Sequence, residues 1–195
     1  MNELLTRLGV PMDIQAFFNT TADLVFHYGD TYEHYGEDFH KIPTTANLWM
    51  AGEDCASQVI ITYCAMEAIA FITINRQRYP NLGELAFIAI GNKLQEEQAN
   101  WIRQKFRKRK LTLVFGNDIL GHMTDIKLAA GLKGITISLF HNNYRVAISY
   151  KELAYDFDEE KISLNAFQSA FGIRSRIRTR KPNAALTFLN QLKYG

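Results

Sequence analysis

The chain has 195 residues, 47% of them hydrophobic and 22% charged, the balance of one globular domain with a buried core. No apolar run approaches the roughly 20 residues that cross a bilayer. The first ten residues carry Glu3 and Arg7 in place of a signal-like apolar stretch, and two cysteines, Cys55 and Cys64, are too few for a disulfide framework. The expectation is a cytoplasmic single domain with free thiols and no membrane partner. Net charge is +2, but residues 1–100 hold 5 Lys/Arg against 13 Asp/Glu, whereas residues 101–195 hold 17 against 7. A basic half of this kind suits DNA, RNA or another acidic partner.

In chain order, Asn2 to Asn19 reads as helix broken near Pro11. Leu24–Tyr28 and Thr31–Phe39 read as strands about a Gly29-Asp30 turn. With Ile42–Met50 they make residues 1–56 a small β-rich cap. Gln58–Tyr63, Leu85–Ile90 and Leu111–Phe115 are short apolar runs of the kind buried on both faces. Between them lie helical patterns over Cys64–Arg78 and from Asn92 to about Lys108, and a third helix, capped by Asn117 or Asp118, runs to about Leu132. Gly134 then turns the chain into Ile135–Leu139, read as a fourth strand of the same sheet. The alternation predicts an α/β fold with a mainly parallel central sheet flanked by helices. Its core spans 57–140, with a C-terminal extension over 141–195. In that extension, Tyr144–Tyr150 is read as strand, Tyr150–Tyr155 and Ser163–Phe171 as short helices, and a last helix follows Pro182.

Sites of such sheets form at the C-terminal ends of parallel strands. These ends read Thr62-Tyr63-Cys64-Ala65-Met66-Glu67-Ala68, then Ala89-Ile90-Gly91-Asn92, then Phe115-Gly116-Asn117-Asp118-Ile119-Leu120-Gly121. Their order resembles the Toprim family of primases, topoisomerases and OLD-type nucleases. That family ends its first strand in a catalytic Glu within E-G-x-x-D-A, places a Gly after its second, and ends its third in D-N-D-x-x-G. Gly91, Asn117, Asp118 and Gly121 match, and Glu67-Ala68 stands at the family's D-A. Tyr63 replaces the catalytic Glu, and Gly116 the first Asp of the third element. Thr187–Leu192 also resembles the K-D-W-N-x-x-L ending of the primase-like, mobile-element branch, with Phe188 in place of its Asp.

The resemblance implies a Toprim-like domain with a degenerate active site, binding nucleic acid or a protein partner in DNA metabolism without catalysis or cofactor. The alternative is a divergent metal-dependent nuclease or phosphotransfer enzyme. It would place Mg²⁺ on Glu67 and Asp118, with Asp125 about 10 Å further along the helix at 1.5 Å per residue. Each acid also has a plainer reading: Asp118 as a helix N-cap, and Glu67 as a solvated acid in a first turn. Cys64, at a helix start, is a candidate for a lowered thiol pKa, although no catalytic partner is identifiable. A homo-oligomeric scaffold is a third possibility.

Two basic runs carry the nucleic-acid expectation. Arg103, Lys105, Arg107, Lys108, Arg109 and Lys110 crowd the end of the second core helix. Arg174, Arg176, Arg178 and Arg180 alternate with smaller residues ahead of Lys181, which puts the four arginines on one face of an extended segment. If the runs adjoin, they form a surface for phosphates. His27, His34 and His40 fit no zinc spacing and read as exposed hairpin residues. No Walker or dinucleotide-binding glycine loop occurs.

Overall fold

Asn2 caps α1 (Glu3–Arg7), its side chain accepting the Leu5 N–H at 2.9 Å in a computed structural model that describes all residues, Met1–Gly195. Pro11, which has no N–H to leave unpaired, precedes α2 (Met12–Phe17). A hairpin of β1 (Leu24–Tyr28) and β2 (Thr31–Tyr35) follows, turning at Gly29, whose φ of +66° is left-handed. β3 (His40–Lys41) extends it antiparallel. The N-terminal cap is therefore two short helices and a three-stranded sheet.

Next come β4 (Trp49–Gly52), β5 (Gln58–Thr62), α3 (Ala65–Asn75), β6 (Leu85–Ala89), α4 (Glu96–Lys105), β7 (Lys110–Val114) and α5 (Ile119–Lys133). The chain continues through β8 (Ser138–Asn142), β9 (Arg145–Tyr150), β10 (Leu153–Asp158), α6 (Leu164–Phe171), β11 (Arg178–Thr179) and α7 (Phe188–Tyr194). The fold is mixed α/β with three sheets. The central sheet has the order β11-β7-β5-β6-β4. β11, β7, β5 and β6 run parallel, and β4 is antiparallel on the far edge. The sheet thus takes β4 from before residue 57 and β11 from after residue 140.

Both faces of this sheet are covered, which is why its strands are continuous apolar runs. Ile60, Leu85, Phe87, Ala89 and Val114 face the cluster built from α1, α2, α3, α7 and the cap hairpin. Val59, Ile61, Ala86, Ile88, Leu113 and Phe115 face α4 and α5, meeting Ala99, Ile102, Phe106 and Leu128. Each Val, Leu, Ile or Phe side chain among them, fully buried, contributes about 1.5–3 kcal/mol.

Three expectations fail here. Ile135–Leu139 is not a fourth strand of the central sheet. Ser138–Asn142 instead forms one edge of a separate antiparallel meander, β10-β9-β8. The physical reason is one-sided patterning: Ile135, Ile137 and Leu139 are half-buried while Thr136, Ser138 and Phe140 are exposed, as suits a sheet with one wet face. Nor is Tyr150–Tyr155 a helix. Asn143-Tyr144 and Lys151-Glu152 are two-residue hairpin turns, with φ of +48°, +61° and +54° at Asn143, Tyr144 and Lys151. Leu153, Tyr155 and Phe157 recur with the period of a strand. Finally, α4 starts at Glu96 and not at Asn92, because Gln95 and Gln98 form a capping box there. The Asn92 N–H is instead held by the Pro43 carbonyl at 2.8 Å.

Candidate functional site

From β5 the chain crosses through α3 toward β6, and from β7 it leaves through α5 on the other side. The crevice between the C-terminal ends of β5 and β7 is therefore the switch point of the sheet, where ligand sites of such folds form. Tyr63, Gly116, Asn117 and Asp118 lie on its loops. His122, Thr124 and Asp125 lie on the first two turns of α5.

Each acid expected at this crevice has a defined partner. Asp118 is the N-cap of α5, its Oδ1 accepting the Gly121 N–H at 2.6 Å. Gly121 must be glycine, since a Cβ there would fall 2.0 Å from the Gly116 carbonyl oxygen. Glu67 is buried and not solvated. Its two oxygens accept the Phe188 and Leu189 N–H groups at 3.1 and 2.9 Å, so it caps the start of α7 from across the core. Burial raises its pKa, and these hydrogen bonds oppose the rise. Tyr63, just past the end of β5, packs edge-on against Phe115 and shares a 2.9 Å hydrogen bond with the Thr124 hydroxyl. Burial pushes the Tyr63 hydroxyl up to about 12, so it stays neutral.

Asp125 enters the crevice from α5 with only 1% of its side chain exposed. Burial lifts its pKa to about 6, against the opposing charge of Lys181. Lys181 Nζ lies 2.7 Å from its Oδ2, a contact of charge more than of hydrogen-bond direction, and Oδ1 has no donor at all. The same ammonium donates to the carbonyls of Gly116 at 2.8 Å and Phe115 at 3.4 Å. One turn closer to the start of α5, His122 is half-buried, and desolvation followed by the Lys181 charge lowers its pKa. The Leu186 carbonyl accepts the Asn117 N–H at 2.7 Å. Residues 181–189 thus lie across the crevice and engage it at four points.

A second buried acid escaped the sequence reading. Glu33 on β2 is fully buried and accepts four hydrogen bonds: the Tyr28 hydroxyl (3.0 Å), His40 Nε2 (2.9 Å), and the Ala65 and Met66 N–H groups that open α3 (2.6 and 3.1 Å). The Cys64 thiol completes a Glu–His–Cys cluster whose ligand atoms lie within 4.8 Å of one another. Four donors, however, already fill the four lone-pair positions of the carboxylate. His40 is therefore a partner of this carboxylate and not an exposed hairpin residue. Burial, then the charges of Glu33 and Glu67, raises the Cys64 thiol pKa, contrary to the lowering expected at a helix start. Glu33 was detectable in principle, since it shares the inward parity of Tyr35 along β2.

The basic runs meet along the sheet edge. β11 pairs with β7 in the register Arg178 to Thr112 and Thr179 to Leu113, and the Arg180 N–H continues it onto the Leu113 carbonyl at 2.8 Å. Ile177 packs inward against the core cluster that Leu111 and Leu132 also join. Arg174, Arg176, Arg178 and Arg180 are all exposed, with Ile173, Ser175, Ile177 and Thr179 half-buried between them. Arg107, Lys108, Arg109 and Lys110 are exposed at the start of β7, and the first three line one surface hollow with Arg103 and Lys133. None of these four and none of the four arginines on the β11 segment forms a salt bridge. Lys105 pairs with Asp54. Lys181, grouped with the basic run by sequence, turns into the crevice with 17% of its side chain exposed and leaves the edge to the arginines.

Comparison with protein-family models, with curated proteins and with solved structures finds no match to this chain. No helix is long and apolar enough to cross a membrane.

Proposed function

We propose that this protein is a non-catalytic, Toprim-like module of DNA metabolism that binds nucleic acid along the basic edge formed by β11 and the start of β7. The observation that carries the reading is eight exposed cations without salt bridges, drawn from two distant stretches of chain that the β11–β7 pairing brings together. Exposed cations free of acidic partners are the groups that replace counterions on a phosphate backbone.

Loss of catalysis follows from how the remaining acids are used. The divalent metal implied by a Toprim resemblance does not fit these residues. Both oxygens of Glu67 hold backbone amides, one oxygen of Asp118 caps α5, and a lysine ammonium rests against Asp125. A Mg²⁺ site needs one or two carboxylates aimed at the ion and open to substrate phosphate and water. The nuclease alternative therefore lacks its ligands.

Gel-shift titration at low salt tests the reading with single- and double-stranded probes of unrelated sequence. The wild-type protein should shift at least one class of probe. The variant with Arg174, Arg176, Arg178 and Arg180 replaced by Ala should bind more weakly while keeping its fold by circular dichroism. No shift of either class would overturn the proposal.

A further inference from the structure

We propose that Lys181 is a built-in cation of the strand-end crevice, standing where a divalent metal would stand, and that removing its ammonium opens a Mg²⁺ or Mn²⁺ site on Asp125 and the carbonyls of Gly116 and Phe115. The inference deepens the non-catalytic half of the proposed function. Its test reads cation binding and no nucleic acid, so the two proposals fail separately.

Three oxygens converge on Nζ from two elements: Asp125 Oδ2 at 2.7 Å from α5, and Gly116 O at 2.8 Å and Phe115 O at 3.4 Å from the end of β7. Carboxylate and carbonyl oxygens are the ligands that hard divalent cations take. A second, independent observation points to a cation at this place. Asp125 is buried, yet neither of its oxygens has a hydrogen-bond donor, so the carboxylate is met only by the point charge beside Oδ2. A buried carboxylate left without hydrogen-bond donors suits an ion with several open coordination positions better than an ammonium with three protons.

The position of Lys181 in the chain accounts for how the charge is delivered. The β11 pairing ends at the Arg180 N–H, which fixes the next residue at the level of the crevice. Pro182 follows, and the chain turns toward Leu186, whose carbonyl holds the Asn117 N–H. The ammonium is thus anchored from both sides. It ties the end of the edge strand to α5 and the β7 loop, much as a metal ion would link them.

The experiment uses the full chain with Lys181→Met, which keeps the apolar stem and removes the charge, and Lys181→Ala, which leaves room for a hydrated ion. Calorimetric and thermal-shift titrations with MnCl₂ and MgCl₂ are run beside the wild type and Lys181→Met/Asp125→Asn. The wild type should show no saturable heat, and at least one single variant should bind Mn²⁺ at least about tenfold more tightly and melt higher in its presence. The double variant should lose both effects. Saturable binding by the wild type that Lys181→Met leaves unchanged would overturn the inference. So would single variants that fold but ignore both metals, or variants that stay unfolded with and without metal, since the metal is held to substitute for the ammonium.

Discussion

The two regions served by the C-terminal segment treat charge in opposite ways. In the crevice at the ends of β5 and β7, nearly every polar atom is engaged. Glu67 holds two amides, Asp118 caps a helix, and Lys181 bridges Asp125 and two carbonyls. Along the edge, a few residues earlier in the same chain, four arginines and the neighbouring cations of the β7 start have no acidic partner. Buried charge is costly unless it is paired, so in the crevice the charges are spent on holding elements together. Exposed charge carries no such requirement, which leaves the edge cations free for a partner. Clustered cations also keep an open edge strand from pairing with another sheet, so β11 gains solubility from the groups proposed to bind phosphate.

Substitutions in the buried network should break this contrast most visibly. Glu33→Ala removes an acceptor that serves a tyrosine, a histidine and two amides at once, and it should cost about 3–5 kcal/mol in urea unfolding. A cost under about 1 kcal/mol would mean that water or rotation replaces the network. Next in size is a pH effect at Asp125. Its folded pKa of about 6 lies above the ordinary 3.8, so between those values the folded protein holds a proton that the unfolded chain has released. Stability should therefore fall as pH rises through that window, by about 3 kcal/mol. Lys181 faces this carboxyl, and His122 and Asp118 lie nearby. Unfolding curves of wild type and Asp125→Asn at steps across the window should converge at the acid end and separate above it. Parallel curves would contradict the burial account. The smallest effect belongs to Asp118→Ala, which should cost about 1 kcal/mol as a lost N-cap and leave nucleic-acid affinity unchanged.

What the chain revealed before folding divides along physical lines. The three core strands were legible because burial on both faces writes an uninterrupted apolar run, as in Val59-Ile60-Ile61 and Leu85–Ile90. The Asp118 cap was legible because it is a local interaction with Gly121. Glu67 was not, since its partners lie 121 and 122 residues away along the chain, and Glu33 showed only its inward parity, since the two amides it holds lie 32 and 33 residues away. Position in sequence carries no mark of such pairing. Ile135–Leu139 runs into a strand as expected, at Ser138, but not one of the central sheet, because its alternation of half-buried and exposed residues marks one wet face. Its place beside β7 went to a two-residue strand inside a run of arginines. That substitution was hidden by charge, yet it aligned the two basic runs, whose adjacency the sequence left open.

The central claim is that the edge, and not the crevice, meets the partner. Fluorescence-anisotropy titration of a labelled oligonucleotide over about 50–200 mM salt tests it, because each lost phosphate contact lowers the slope of log K against log salt by about 0.7–0.9. The account predicts a steep slope for the wild type that flattens by about 2–4 when Arg174, Arg176, Arg178 and Arg180 become Ala, with Asp118→Ala and Glu67→Gln retaining the full slope. A slope unmoved by the arginine substitutions, or one abolished by Glu67→Gln in a folded protein, would place the contact elsewhere and contradict it.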